Sequence, residues 1–270
     1  MIEKIYKTKS GNIHYWISNK IDNTKYTLVF LHDLALDHQI FNKQIKYFED
    51  KLNILAWDAP GHAASRPFSF NFSLKDEADW LHEIIENEKI EKPIIIGEAT
   101  GGYVAQIYAH KYSNNIKGLI SIDSTPLQKK YYSSIRLFLL NQIDILYKIS
   151  PWNALVETQS DITSKSVYGR DIAKDMMKEY DGNKKYYVAL NDYGNKIVVD
   201  AIKDNISYSI KCPALLICGL KDNGFSLKVN KKWHEDSGIP IRLIKGAGRH
   251  SNMDSPRQIN AYIEGFVDSL

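Results

Sequence analysis

The amino-acid sequence predicts an α/β fold, with a doubly wound, mostly parallel sheet of eight strands and a helical cap inserted in the chain. Short runs of branched apolar residues, such as residues 94–96, alternate with stretches that show helical periodicity. Strands that are apolar on both faces are typical of parallel sheets covered by helices on each side. The alternation stops between about residues 127 and 205 and resumes near residue 214, which indicates an insert.

The composition excludes several classes of protein. An apolar share of 44% and a charged share of 25% in 270 residues are ordinary for a globular protein with a sizeable core. The net charge of +3, with lysines scattered along the chain, does not indicate a nucleic-acid partner. The first residues lack a signal peptide, and no segment is long enough to span a membrane. Cys212 and Cys218 form no disulfide framework, so we expect a cytoplasmic protein without a membrane partner.

Each element of the predicted sheet rests on a local pattern. Residues 4–20 alternate around a Ser-Gly-Asn turn, which predicts a β-hairpin at the sheet edge. Strands are predicted where apolar residues cluster, and helices where they recur at helical spacing. The expected strands after the hairpin are 26–31, 53–57, 94–96, 118–123, 214–219 and 241–244. The expected helices are 40–48, 74–89, 229–236, one that begins at residue 100 and one that begins at about residue 256. Ser73 is the expected N-cap of the helix over 74–89.

These elements divide the chain into a core and a cap. Residues 1–126 and 206–270 are expected to form the sheet and its covering helices. Residues 127–205 carry helical patterns and many tyrosines, but no run with the apolar character of the strands. We expect them to form a helical cap over the carboxyl edge of the sheet. A pocket for a small-molecule ligand or substrate is expected between core and cap.

The segment Gly97-Glu98-Ala99-Thr100-Gly101 joins a predicted strand to a predicted helix within a few residues. A turn this tight needs close backbone approach on both sides of its tip, and glycine permits that approach. The pattern resembles the nucleophile elbow of the α/β-hydrolase family, Gly-x-Ser-x-Gly, in which the tip serine is exposed above the sheet. Here the tip residue is Ala99, so the scaffold of a nucleophile is present without its hydroxyl.

Four further motifs resemble this family in their order and spacing. They are His32 with its loop, residues 58–65 (Asp-Ala-Pro-Gly-His-Ala-Ala-Ser), residues 219–222 (Gly-Leu-Lys-Asp) and residues 246–256. The resemblance covers almost the whole chain and implies a hydrolase of the carboxylic ester type. It also implies that Leu34 supplies an oxyanion-hole amide, that Asp222 is the catalytic acid and that the last loop carries the catalytic histidine. His32 itself is expected to be a structural hydrogen-bonding residue.

The chain departs from the family pattern at positions that carry the chemistry. Ala99 cannot form an acyl-enzyme intermediate, and Thr100 is expected to present its backbone N–H, rather than its hydroxyl, to an oxyanion. Asp33 stands where the family has glycine, and a carboxylate there would repel the negative charge that the hole stabilises. Counting back from Pro256 puts Arg249 in the family's usual histidine position and His250 one residue beyond it, and which of the two fills that position is left open. Changes concentrated in this way suggest a deliberately altered or repurposed pocket.

Alternative roles stay open for several of these residues. Asp33 is either a general base whose pKa is raised by burial, or a loop aspartate that faces solvent or caps a backbone amide. Glu98 either packs beneath the turn or acts as a base. Arg249 pairs with Asp33 or Glu98, binds an anionic ligand, or is exposed. Asp222 and His250 are expected to be the remaining acid and base of the pocket.

The sequence supports two functions from different classes. In the first, the protein derives from a serine hydrolase and is inactive, or was rebuilt by design for another reaction such as proton abstraction by Asp33 or Glu98. In the second, it is a non-catalytic protein that binds a small molecule in the pocket. The loop at residues 97–102 matches neither a phosphate-binding loop nor a dinucleotide fingerprint, and nothing indicates a metal site. No cofactor and no metal are therefore predicted, and the oligomeric state is left open.

Overall fold

The computed structural model describes residues 1–91, 93–140, 142–206, 209–222 and 224–270. Eight strands form one sheet: β1 Ile2–Lys7, β2 Asn12–Ile17, β3 Thr27–Leu31, β4 Asn53–Trp57, β5 Ile94–Glu98, β6 Gly118–Ile122, β7 Ala214–Gly219 and β8 Ile241–Ile244. Their order across the sheet is β1-β2-β4-β3-β5-β6-β7-β8. The predicted eight-stranded α/β fold is confirmed.

Strand directions follow from the way the elements are connected. The predicted edge hairpin is present, because β1 pairs antiparallel with β2 and places Ile2 opposite Ile17. Strand β2 continues antiparallel to β4, and the remaining neighbouring pairs are parallel. Strands β3 to β6 are buried along their whole length, as their unbroken apolar runs predict.

Helices cover both faces of the sheet. They are α1 Asn42–Phe48, α2 Leu74–Asn87, α3 Thr100–Lys111, α4 Ser134–Leu140, α5 Ile143–Ile149, α6 Trp152–Thr163, α7 Val167–Lys178, α8 Lys184–Lys203, α9 Gly224–Ser237, α10 Ser251–Asp254 and α11 Pro256–Asp268. Alternate side chains of one strand enter different cores. Val29 belongs to the core that contains α2 and α3 residues, whereas its neighbour Phe30 belongs to the core beneath α1 and α11.

The predicted start of α2 is confirmed at atomic detail. Ser73 accepts a hydrogen bond from the backbone N–H of Asp76, and the Asp76 carboxylate accepts one from the Ser73 backbone N–H. This reciprocal capping box satisfies two donors that the first turn of a helix leaves without intrahelical partners. Glu77 follows in the same turn and is buried.

The helix expected over residues 40–48 begins differently. Residues His38–Phe41 form a 3₁₀ turn, and α1 starts only at Asn42. The Asp37 carboxylate accepts a hydrogen bond from the Gln39 backbone N–H at 2.7 Å and so starts the 3₁₀ turn. The sequence periodicity detected the buried face, but it missed this local cap.

The region predicted to be a cap is helical. Residues 127–205, apart from position 141, contain α4 to α8 and a 3₁₀ turn at Lys129–Tyr131, and no strand. Their assignment as a separate cap stays a prediction. Within the described ranges, no helix combines the length and the apolar character needed to cross a bilayer.

Candidate functional site

The elbow keeps its shape without a nucleophile. Ala99 is the single residue between β5 and α3, with φ 43° and ψ −107°. A residue other than glycine rarely adopts a positive φ unless the surrounding structure enforces it. A Cβ added to Gly97 would meet the Gly101 carbonyl oxygen at 2.5 Å, and one added to Gly101 would collide with the Leu31 carbonyl. Tight packing of strand against helix therefore holds the turn, although its tip has no hydroxyl.

Asp33 follows β3 and occupies the donors beside the elbow. Its Oδ1 accepts hydrogen bonds from the Thr100 backbone N–H at 3.1 Å and from the Thr100 hydroxyl at 2.7 Å. Its Oδ2 accepts a hydrogen bond from an Arg249 guanidinium N–H at 3.0 Å. In the α/β-hydrolase pattern, the Thr100 N–H would face the oxyanion of a reacting ester. Here a carboxylate of the chain itself takes that position.

The electrostatics of Asp33 contradict the general-base interpretation, which required a raised pKa. Burial favours the neutral carboxyl, but the Arg249 charge outweighs it, together with His250 and Thr100, and the pKa lies well below its ordinary value. Asp33 is therefore a fixed negative charge with little basicity. The alternative in which it caps a backbone amide matches the observed contact with Thr100.

Glu98 is the opposite case. It is the last residue of β5, its side chain is 0% exposed, and neither carboxyl oxygen has a hydrogen-bond partner among the described residues. Burial and then the nearby Asp33 raise the pKa of Glu98 well above its ordinary value. The carboxyl is buried beside His250, and both interpretations of Glu98 from the sequence stay predictions.

His250 lies next to both carboxyls, and its ring is almost completely buried. Its Nδ1 is 2.8 Å from the Thr163 carbonyl oxygen, which accepts its hydrogen. Its Nε2 is 3.3 Å from Asp33 Oδ2 and 3.3 Å from Glu98 Oε2. Both ring nitrogens thus face groups other than Asp222, so the expected acid–base pair of Asp222 and His250 is not formed.

Arg249 projects from the same loop as His250 and leaves 43% of its side chain exposed. The Asp33 charge raises the pKa of the guanidinium further above its ordinary value. Of the alternatives left open by the sequence, the pairing with Asp33 is the one observed. Arg249 also lines the two cavities described below.

A carboxyl that the sequence analysis did not single out completes this edge of the sheet. Asp123 directly follows β6 and accepts hydrogen bonds from the backbone N–H groups of Gly219 and Ser251, each at 2.7 Å. Burial raises its pKa to about 8. Asp222, after β7, is close enough to raise that pKa further. The sequence signal that could have identified Asp123 was its position at the end of a strand, because ligands of parallel sheets bind where strands end.

The two remaining predicted site residues lie on the loop after β3. His32 is buried, its Nε2 accepts a hydrogen bond from the Ala59 backbone N–H at 2.8 Å, and its Nδ1 lies 2.7 Å from the Asp33 carbonyl oxygen. Burial lowers the pKa of His32, so the ring is neutral and holds two loops together. Leu34 is half-buried and lines the pocket described next.

Two cavities meet at Arg249. One, of about 120 Å³, lies between the sheet edge and residues of the predicted cap. Asp33, Arg249 and His250 line it from the sheet side, and polar groups of Gln159 and Asn191 line it from the other side. The second cavity, of about 100 Å³, lies over Ala99, Thr100 and Asp123. Arg249 lines both, so this residue lies at the boundary between them.

Comparisons with known proteins agree with this architecture. Residues 3–221 match the family model described as the Ndr family. A Mycoplasma pneumoniae protein with an esterase/lipase name is 24% identical over 280 aligned positions that cover 97% of each chain. Mouse monoacylglycerol lipase ABHD6 is 22% identical over 262 positions, 91% of this chain and 76% of the lipase.

A solved structure is similar over the whole chain. The structure of a thermophilic esterase from Thermogutta terrifontis, with malate bound, superposes with a TM-score of 0.75. The two chains are 16% identical, and the superposition covers 100% of this chain and 99% of the esterase. At this identity the likeness shows the α/β-hydrolase fold.

Proposed function

The chain belongs to the Ndr family and has the α/β-hydrolase fold, and on that basis we propose that it binds a small molecule without hydrolysing esters. The observation that carries this proposal is the Asp33 carboxylate hydrogen-bonded to the Thr100 backbone N–H. In a hydrolase of this fold, the corresponding N–H donates to the transient negative charge of the oxyanion. Here the Thr100 N–H donates to the permanent negative charge of Asp33.

Two losses combine at this site. Ala99 has no lone pair with which to attack a carbonyl, so no acyl-enzyme can form there. Removal of a single oxyanion-hole donor alone costs about 10²- to 10³-fold in turnover. Asp33 goes further than removal, because its negative charge repels a developing oxyanion. Its own pKa is lowered, so protonation near neutral pH does not relieve this repulsion.

The cavity between the sheet edge and the predicted cap supports the binding role. Its lining combines the charged residue Arg249 with the polar residues Gln159, Asn191 and Tyr147. Polar groups converging in a partly apolar cavity are typical of a small-molecule site. The ligand that fits best is a small polar molecule with an acceptor group for the guanidinium.

Proton abstraction, the rebuilt-enzyme alternative, has weaker support. Asp33 is adjacent to the cavity but has a lowered pKa. Glu98 has a raised pKa, but its side chain is 0% exposed and does not line the cavity. A general base needs both access and basicity, and neither carboxyl has the two together. A benzisoxazole probe should therefore react no faster with the wild type than with the Glu98→Gln variant.

Labelling with a fluorophosphonate probe tests the absence of hydrolysis. Intact-mass analysis should show no adduct on the wild-type chain, and an activated ester should be hydrolysed no faster than by heat-denatured protein. The triple variant Ala99→Ser, Asp33→Gly, Arg249→His is the matched positive control, because it restores the hydroxyl at the tip of the elbow, removes the opposing charge and supplies a base. Stoichiometric labelling of the wild type, at Thr100 or elsewhere in the site, would overturn the proposal.

The proposal that the protein binds a small molecule needs a separate experiment. Small molecules released by denaturing the purified protein can be compared by mass spectrometry between the wild type and Asn195→Phe, which adds bulk to the cavity wall. A molecule retained by the wild type and lost from the folded variant supports binding. An identical set of molecules from both proteins contradicts it.

A further inference from the structure

Three ligand-type atoms converge beneath the cavity floor. We propose that Asp33, Glu98 and His250 bind one divalent transition-metal ion of the Zn²⁺ class through Asp33 Oδ2, Glu98 Oε2 and His250 Nε2. All three residues are buried, and these atoms lie within 4.8 Å of one another. The proposal goes beyond ligand binding without hydrolysis, and it replaces the sequence-based expectation that the protein has no metal site.

The spacing is the first argument. Bonds of about 2.0–2.1 Å from Zn²⁺ to imidazole nitrogen and carboxylate oxygen, at tetrahedral angles, put two ligand atoms about 3.3 Å apart. His250 Nε2 is 3.3 Å from each of the two carboxylate oxygens. A charge-assisted hydrogen bond would be shorter, at about 2.7–2.9 Å. The observed distances therefore match the edges of a metal coordination polyhedron.

The second argument is that buried polar atoms point into the site without partners. His250 Nε2 and both Glu98 oxygens have no hydrogen-bond partner among the described residues. Groups this deeply buried normally find one, because leaving a desolvated polar atom unpaired is energetically costly. A metal ion in contact with Nε2 and Oε2 would satisfy both.

Two other clusters serve as internal comparisons. The described residues contain two further groupings with the same density of ligand-type atoms, one around Asp58 and one around Asp123. Asp58 accepts hydrogen bonds from His38 and from the Ala64 backbone N–H, and Asp123 accepts two from backbone N–H groups. The Asp58 and Asp123 carboxylates are thus held by the protein, whereas at Asp33, Glu98 and His250 the 3.3 Å spacing coincides with three buried atoms that lack partners, both Glu98 oxygens and His250 Nε2.

The surrounding contacts hold the ligands in position. The Thr163 carbonyl accepts the Nδ1 hydrogen of His250, so Nε2 is the ring nitrogen that faces the carboxylates and would bind the metal. Such an outer partner is typical of metal-binding histidines. Thr100 fixes Asp33 through Oδ1 and leaves Oδ2 facing His250.

The donor set selects the kind of metal. One imidazole and two carboxylates suit Zn²⁺, Co²⁺ or Mn²⁺, whereas Mg²⁺ prefers oxygen ligands and keeps several waters. The cavity of about 120 Å³ is lined by Asp33 and His250, so it provides both an access route and space for a further ligand. Arg249 also contacts Asp33 Oδ2. Its positive charge opposes a metal cation and should weaken binding.

Titration of the chelator-treated full-length protein with Zn²⁺ tests the proposal. We expect one ion per chain, with Glu98→Gln binding at least about 100-fold more weakly, since loss of an outer partner alone costs about 10- to 100-fold. Glu77→Gln is the matched control, because Glu77 is also a buried glutamate with a raised pKa, of about 8, but lies on α2 outside the cluster. It should bind Zn²⁺ like the wild type, and Mg²⁺ should not compete.

A second variant guards against general misfolding. Arg249→Gln removes the opposing charge, so it should bind Zn²⁺ several-fold more tightly. Bound Co²⁺ should give the intense visible bands of a four- or five-coordinate site, and Glu98→Gln should abolish them. The proposal fails if no stoichiometric binding occurs, if Glu98→Gln and Glu77→Gln bind equally, or if Arg249→Gln weakens binding as much as Glu98→Gln does.

Discussion

The ends of β3 and β5 each place a buried carboxyl group at the same edge of the sheet. The residues around these two groups shift their pKa values in opposite directions. Asp33, after β3, accepts hydrogen bonds from Arg249 and Thr100, and its pKa is lowered. Glu98, at the end of β5, accepts no hydrogen bond from the described residues, and its pKa is raised. Burial is almost equal at the two sites, so the partners decide the charge.

The comparison explains why an intact elbow does not imply an ester hydrolase. The backbone around Ala99 retains the tight turn, whereas the loops after β3 and β8 bring Asp33 and Arg249 together over it. A fold can thus preserve the geometry of a catalytic site while its charges oppose the reaction. The predictions below test this contrast, from the largest expected effect to the smallest.

Restoring a nucleophile alone should recover little activity. Ala99→Ser still faces the Asp33 charge at the Thr100 amide, and counting back from Pro256 puts Arg249 where the family has its histidine. Adding Asp33→Gly and Arg249→His removes the charge and supplies a base, so hydrolysis of an activated ester should rise by at least about 10²-fold over the single variant. Steady-state kinetics on all combinations should show strong non-additivity, because these groups act as a unit.

The folded state of each variant is first checked by circular dichroism. Equal activity of the single and the triple variants would show that Asp33 and Arg249 are bystanders.

Asp33→Asn and Glu98→Gln should lower the free energy of unfolding by clearly different amounts. Asp33→Asn leaves Arg249 without its counter-charge, and the loss of one partner of a buried pair typically costs about 3–5 kcal/mol. Because 43% of the Arg249 side chain is exposed, we expect a smaller loss of about 2–4 kcal/mol in the free energy of unfolding. Glu98→Gln should change it by less than about 1 kcal/mol under mildly acidic conditions, where Glu98 is already neutral.

Urea unfolding in chelator-containing buffer measures both values. A greater loss for Glu98→Gln than for Asp33→Asn would reverse the comparison.

The two carboxyls should also act on opposite arms of the pH–stability curve. The folded pKa of Asp33 is lowered, so its contribution is present above its unfolded pKa of about 3.9 and is lost as the pH falls further. The folded pKa of Glu98 is raised, so its contribution is present below its unfolded pKa of about 4.3 and is lost as the pH rises.

Glu98→Gln should therefore reduce the loss of stability on the alkaline arm by up to about 1.4 kcal/mol per pH unit. Part of that loss should persist in the variant, because Glu77 and Asp123 have pKa values raised to about 8. Asp33→Asn should instead flatten the acid arm. Denaturant unfolding at a series of pH values checks both arms, and an unchanged alkaline arm in Glu98→Gln contradicts the raised pKa.

A smaller effect, outside the site, calibrates these measurements. Ser73→Ala removes the capping box of α2 and should cost about 1 kcal/mol with no change in either pH arm. Urea unfolding of this variant gives the scale of an ordinary local contact. A pH dependence altered as much as in Glu98→Gln would mean that the arms do not report on the two carboxyls.

The fold was predictable because its signals are local. Apolar runs such as residues 94–96 determine a strand within a few positions, and the Ser73 cap marks a helix start. The Asp33–Arg249 pair joins residues 216 positions apart, and no local pattern encodes that contact. The sign of the Asp33 pKa shift depends on it, which is why burial alone suggested the wrong direction.

The position of His250 illustrates the same limit. Its motif was recognisable, but its partner is the backbone carbonyl of Thr163, and a backbone carbonyl leaves no signature in the sequence. Asp123 could have been found, since it is the last residue of the predicted strand 118–123. Residues that end parallel strands are therefore candidates for the site even when no motif includes them.

The chemical shift of the Thr100 backbone amide proton, followed by NMR as the pH is changed, tests most directly whether Asp33 holds a permanent charge at this donor. The account predicts a downfield resonance that stays constant from about pH 8 to about pH 4.5, because a carboxylate with a lowered pKa does not titrate there. It also predicts an upfield shift in Asp33→Asn. A titration of the wild-type resonance within that range, or a resonance unchanged by Asp33→Asn, would contradict it.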